Sequence, residues 1–235
     1  DGLPCDDQGH DTHCSGTIGA VGGNGKGLSG VNQRVSIMGV KFLSAEGSGT
    51  TEGAIKAIDY AVEHGARVLS NSWGGPSDQS NQALFDSIER AKGQGALFVA
   101  AAGNESKNND NSSDASYPAA FNNDNLIAVA ATDKDDKMAF FSNYGKNSVH
   151  FAAPGVNIYS LAPGNGFATM SGTSMACPHV AGAAALLWSK NPSWTYKQVK
   201  DALMNSVDPV PGLADKTITG GRINVFKAIQ LSSTE

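Results

Sequence analysis

The chain is poor in cysteine, and the cysteines it has form no pattern. Cys5, Cys14 and Cys177 show no Cys-x-x-Cys spacing of the kind that marks zinc or redox motifs. An odd count leaves at least one thiol. Cys5 and Cys14 are able to pair, but Cys14 falls on a stretch of small residues that reads as a buried helix, where free cysteine is common; the redox compartment stays open. No run of ~18 apolar residues is present, and no basic-then-apolar leader, which argues against a membrane span and leaves a cytosolic protein or a mature secreted one. The first residue is Asp rather than Met, which favours processing or truncation. With a net charge of −5 and scattered basic residues, the chain offers no patch for nucleic acid or an anionic membrane surface. Nor does a Pro/Ser-rich linker or charge block divide its 235 residues, of which 40% are hydrophobic. One core is expected, with residues 1–235 as a single domain.

Two further motifs are missing. The glycine-rich stretch Gly22–Gly30 has no Gly-Lys-Ser/Thr after it and no helix signal, so it reads as a flexible loop and not a phosphate cradle. His10 and His13 stand three apart, but without a His-Glu-x-x-His pattern or a third ligand they make a weak metal site.

What is present centres on Gly172-Thr173-Ser174-Met175-Ala176-Cys177-Pro178-His179-Val180-Ala181-Gly182, continued by Ala183 to Trp188. Small and apolar residues predict a buried helix starting near Thr173. Ser174 then lies in the first turn, where free N–H groups and the positive end of the helix dipole favour a developing negative charge. Pro178 is near enough to the start for its missing N–H to cost little. This stretch resembles the nucleophile motif of the subtilisin-like serine proteases (subtilases) over 11 consecutive residues.

The resemblance extends along the chain. Gly9-His10-Asp11-Thr12-His13 is similar to the subtilase histidine motif, which implies His10 as general base and His13 as a structural partner. Asp11 stands where the family has glycine; it adds bulk, and its carboxylate favours the imidazolium form of His10, which cannot accept a proton. Ala101-Ala102-Gly103-Asn104 ends a buried run from Ala96, and the resemblance makes Asn104 the amide donor to the oxyanion. Asn104-Glu105-Ser106 also matches the N-glycosylation pattern, a match read as accidental because a glycan there would block the oxyanion site.

Substrate-binding positions are implied in the same way: Gly47, Ser48 and Gly49 and the edge Ser72, Trp73 and Gly74 for the substrate main chain, with Ala101, Ala102, Gly103 and Tyr117 around the pocket and Glu105 near its rim. In subtilases the region of Gly22–Gly30 often helps to hold calcium through backbone carbonyls, so the resemblance allows structural calcium, with no cofactor for catalysis.

The remaining pattern predicts strands at Ile37–Leu43, Arg67–Gly75, Ala96–Glu105 and Leu126–Ala131, and helices at 51–64, 81–92, 195–205 and 224–229. Strand-and-turn pieces are expected at Phe140–Gly145 and Val149–Gly155, and breakers at Asp208-Pro209 and Gly220-Gly221. The fold class expected is α/β, a largely parallel central sheet flanked by helices, subtilisin-like.

One element is absent from this pattern. Subtilases run Asp, His, Ser in chain order, the acid at the end of an early strand. Only nine residues precede His10, and none of Asp1, Asp6 or Asp7 has that context. Three explanations stay open: an N-terminal strand cleaved off or carried by another polypeptide, a peptide-binding module that keeps the fold without catalysis, or a damaged sequence. The activity implied is a secreted serine endopeptidase acting on proteins or peptides, partnered by an N-terminal fragment or propeptide. Acyl transfer to an amine would use the same residues.

Overall fold

A computed structural model describes residues 5–76 and 81–232; Asp1, one of the acids weighed above, lies outside them. Helix α1 (His10–Gly19) comes first, then α2 (Thr51–Glu63), strand β1 (Val68–Asn71), α3 (Asn81–Gly93), β2 (Leu97–Ala101) and β3 (Leu126–Thr132). Next are β4 (Phe151–Pro154), β5 (Ile158–Ala162), β6 (Gly166–Met170), α4 (Thr173–Lys190), α5 (Tyr196–Met204), β7 (Asp208–Pro209), β8 (Gly221–Arg222) and α6 (Val225–Leu231). The main sheet has the order β1-β2-β3-β4-β8-β7, parallel from β1 to β8, with only β7 antiparallel.

Strands β2 and β3 are buried along their whole length, as their unbroken apolar sequences require of strands covered on both faces. One face packs on α2 and α3 through Ile58, Leu84 and Ile88. The other packs on α4, with α5, α6 and Ile18 of α1. Helix α4 shows no polar stripe; twelve of its residues are buried, as expected of a helix packed all round. Its close approach to α1 depends on Gly182, where a Cβ would stand 2.9 Å from Val31 Cβ and 3.1 Å from the Ile18 carbonyl oxygen. Among the described residues, no helix is long and apolar enough to cross a membrane.

Three expectations are corrected. Residues 37–43 are neither strand nor helix: the apolar run is there, but its backbone meets no backbone partner among the described residues. Ile37 and Met38 are left 44% and 43% exposed. Asp208-Pro209 and Gly221, read as breakers, instead form β7 and the start of β8, too short for a period to register. Phe140–Gly145 contains turns and a single bridge, Asn108 to Tyr144, but no strand. The antiparallel hairpin β5–β6, turning at Gly164-Asn165, had no counterpart in the sequence reading.

Candidate active site

Helix α1 begins on glycine, so its capping must come from elsewhere. Asp6 supplies it: Oδ1 accepts from the N–H of Gly9 at 2.8 Å, and Oδ2 accepts from the N–H and hydroxyl of Thr12 at 2.7 and 2.6 Å. Partial burial works against ionisation, yet these bonds hold the Asp6 carboxyl down at about 2. Asp7 is taken by Lys41 at 2.7 Å. The carboxylate that reaches His10 is that of Asp11, whose Oδ1 lies 3.4 Å from Nδ1. That contact, with a smaller one from the Cys14 thiol, raises His10 to about 10. His13 is fully buried, its Nε2 2.9 Å from the carbonyl of Ile158 in β5.

Ser174 occupies the first turn of α4, as expected. In a regular helix its carbonyl would accept from the N–H of residue 178, but Pro178 has none. The orphaned carbonyl instead accepts from the hydroxyl of Ser72 at 2.8 Å and the thiol of Cys14 at 3.4 Å. A proline four residues past the nucleophile therefore ties α4 both to the end of β1 and to α1. The hydroxyl of Ser174 donates to the carbonyl of Ser72 at 3.2 Å. Among the described residues no hydrogen bond joins Ser174 to His10.

Asn104 follows β2 at the carboxyl edge of the parallel sheet, where side chains converge in such folds. Its Oδ1 accepts from the N–H and hydroxyl of Thr173 at 2.8 and 3.0 Å, and its amide N–H₂ has no hydrogen-bond partner among the described residues. The loop behind it is fixed by Asn143, fully buried, whose Oδ1 accepts from the N–H of Glu105 and of Lys107. Glu105 is drawn into this network, bonding Asn143 Nδ2 at 3.0 Å and the N–H of Asn104 at 2.9 Å. Thr173 and Asn143 escaped the sequence reading. Asn143 lies in a polar turn far along the chain, and only folding shows its partners.

Gly47, Ser48, Gly49, Ser72, Trp73, Gly74 and Tyr117 line one cavity of about 520 Å³ together with His10 and Asp11. Gly75 pairs with Tyr117 across it, N–H to carbonyl at 2.9 and 2.7 Å. Ala101 and Ala102 do not line this cavity; they are 5% and 0% exposed in the sheet, and the N–H of Gly103 is taken by Thr173 Oγ1 at 3.2 Å. All three cysteines are free. No cluster of three or more carboxylate, imidazole or thiol groups able to hold a metal occurs among the described residues. Near Gly22–Gly30 the Asn24 side-chain oxygen accepts from the N–H of Lys26 at 2.9 Å.

Comparison with known proteins agrees with this geometry. The model of the subtilase family of peptidases matches residues 3–222. Thermitase of Thermoactinomyces vulgaris is 40% identical over 230 residues, covering 98% of this chain and 78% of that protein. Subtilisin DY of Bacillus licheniformis is 40% identical, with 96% and 79% covered. A solved structure, that of a cold-adapted subtilisin-like serine proteinase, superposes with a TM-score of 0.79 at 34% identity, covering 95% of this chain and 76% of the other. Family match, identity and fold agree: the chain belongs to the subtilase family of serine proteases.

Proposed function

We propose that this chain hydrolyses peptide bonds in proteins, with Ser174 as nucleophile, His10 as general base, and Asn104 Nδ2 with the N–H of Ser174 holding the oxyanion. The observation that supports this reading is the Thr173–Asn104 pair: Oδ1 of Asn104 is held by the residue before Ser174, so its amide N–H₂ is available to an oxyanion that develops when Ser174 attacks a carbonyl. Extended substrate would lie along Gly47–Gly49 and Ser72–Gly74, pairing its main chain with theirs. Within this reading, His10 in its resting state is an imidazolium held by Asp11, so it must lose a proton before it can take one from Ser174. Secretion, a propeptide or N-terminal fragment as partner, and structural calcium belong to the same reading and follow from family likeness.

A second reading has one observation in its favour. Ser174 points its hydroxyl at Ser72 rather than at His10, as a peptide-binding module without turnover would allow. Casein hydrolysis by the intact chain and by Ser174→Ala, together with labelling by a serine-directed phosphonate, separates the two. Turnover that disappears in the variant, with stoichiometric labelling, is expected; binding of peptides without labelling or turnover would sink the protease reading.

A further inference from the structure

The dipeptide Asn-Gly occurs twice in the chain, at Asn24-Gly25 and Asn165-Gly166. A glycine leaves the backbone nitrogen that follows an asparagine unshielded, because it carries no Cβ, and leaves the backbone free to turn. That nitrogen can attack the asparagine's own side-chain carbon and close a succinimide ring. The fold decides whether it does, since the two atoms meet only if the backbone rotates. The two sites are held in opposite ways.

Asn24 lies in the loop that leaves α1. Residues 23–27 are all exposed, and the N–H of Gly25 has no hydrogen-bond acceptor among the described residues. Gly23 and Gly25 both take the left-handed conformation, with φ of 72° and 69°, and a Cβ at either would meet nothing within 4 Å. The Gly25 nitrogen therefore moves without displacing a neighbour. The asparagine side chain, by contrast, is already placed: its Oδ1 accepts from the N–H of Lys26 at 2.9 Å, a turn that folds the amide over its own backbone. Oδ1 is the atom that becomes an oxyanion when the Gly25 nitrogen adds to Cγ. The N–H of Lys26 is thus a donor in place where charge develops. Asn165 has a positive φ as well, 60°, but Gly166 after it pairs with Ala162 in the hairpin β5–β6, so the nitrogen that would have to turn is held in the strand register.

We propose that Asn24 is a site of spontaneous deamidation and isomerisation, its own loop supplying both the nucleophile and the oxyanion donor. The Gly25 N–H gives its proton to solvent, the bond from its nitrogen to Cγ forms, and the side-chain nitrogen takes up a proton and leaves as ammonia. Water then opens the imide at either carbonyl, giving aspartate or isoaspartate, in which the chain runs through the side-chain carbon. Water is the only co-reactant. The product carries one negative charge beyond the −5 of the unmodified chain, and the isoaspartyl form lengthens the backbone by a methylene. Both changes stay in the loop. Gly30, Val31 and Asn32 close it onto α1 through N–H bonds to the carbonyls of Ala20, Thr17 and Ile18 at 2.8, 3.0 and 2.9 Å, and the open space around Gly23 and Gly25 absorbs the added atom. The modified form therefore accumulates as folded protein. None of this depends on the protease reading above.

The test uses Ser174→Ala protein, so that self-digestion of the proposed kind does not blur the result. It is incubated at mildly alkaline pH beside the free peptides acetyl-Val-Gly-Gly-Asn-Gly-Lys-Gly-amide and acetyl-Ala-Pro-Gly-Asn-Gly-Phe-Ala-amide. Peptide mapping by mass spectrometry, with isoaspartyl methyltransferase labelling, gives the rate at each asparagine. Asn24 should convert in the folded protein at least as fast as in its peptide. Asn165 should convert about tenfold more slowly than in its own, because hairpin hydrogen bonds must open first. Native ion exchange should resolve an acidic form that melts with the parent, and Asn24→Gln should not produce it at the parental rate. Asn24 converting more slowly than its peptide, Asn165 converting faster than Asn24, or an undiminished acidic form in Asn24→Gln would each overturn the proposal. An acidic form that is unfolded would overturn the containment of the change within the loop.

Discussion

Thr173 holds Asn104 from two sides at once, its N–H and its hydroxyl both donating to Oδ1. The amide is oriented before any substrate arrives, which is the condition for stabilising an oxyanion without reorganisation. Replacing Asn104 by Leu should lower kcat ~10²–10³-fold, the range found for oxyanion-hole donors, that of subtilisin among them. Thr173→Val keeps the N–H and loses the hydroxyl. It should cost roughly tenfold in kcat with KM nearly unchanged, because only the transition state feels the loosened amide. A rise in KM alone would place Asn104 in ground-state binding instead.

In the proposed mechanism, Asp11 would set the pH at which His10 can act as a base. With His10 raised to about 10, hydrolysis by the proposed mechanism should climb through the alkaline range with its inflection near that value and level off only above it. In Asp11→Gly the inflection should fall toward 6.5, the ordinary value for histidine, and turnover at pH 7 should rise. The stability contributed by the pair has the opposite course: it is complete below pH 6.5 and is lost as pH rises toward 10. An unchanged profile in the variant would show that Asp11 does not govern His10.

His150 behaves in the reverse sense. It is buried against the sheet, its Nδ1 accepts from the N–H of Ala128 at 3.0 Å, and burial, with the nearby Lys200 adding to it, pushes it down to about 3. The unfolded chain takes up this proton from pH 6.5 downward and the folded one does not. Stability from this residue is therefore present above pH 6.5 and falls by about 1.4 kcal/mol per pH unit below it. Urea unfolding at pH 7, 5.5 and 4 measures the slope, and His150→Asn, whose side-chain oxygen can accept the same N–H, should remove this contribution.

Gly182 permits the approach of α1 and α4. Gly182→Ala would force its Cβ against Val31 and the Ile18 carbonyl, an overpacking that costs about 1–3 kcal/mol. The melting temperature should drop by roughly 5 °C, and since α1 carries His10, turnover should fall by more than the loss of folded protein explains. A variant that melts and works like the parent would mean that the two helices separate without consequence.

Local and contiguous features were legible in the sequence. Small residues and a serine in the first turn gave α4 and Ser174; unbroken apolar runs gave β2 and β3; the apolar period stopped by Gly65 gave α2. What stayed hidden depended on partners distant in the chain. Asn143 looks like one more polar turn residue until it is seen holding Glu105 and Lys107. Pro178 gave away its place in the helix but not that it releases the Ser174 carbonyl to Ser72 and Cys14. Residues 37–43 have strand composition, yet a strand exists only with a neighbour, and composition does not count neighbours.

The hairpin β5–β6 has a mechanical consequence. Ile158 holds the ring of His13, the Ser160 hydroxyl donates to the His13 carbonyl at 2.7 Å, and two residues after the hairpin ends the chain turns into α4. The helix bearing His10 and the helix bearing Ser174 thus hang from one bracket. The hairpin therefore couples the placement of α1 to that of α4, and a substitution that shifts it should move both helices together.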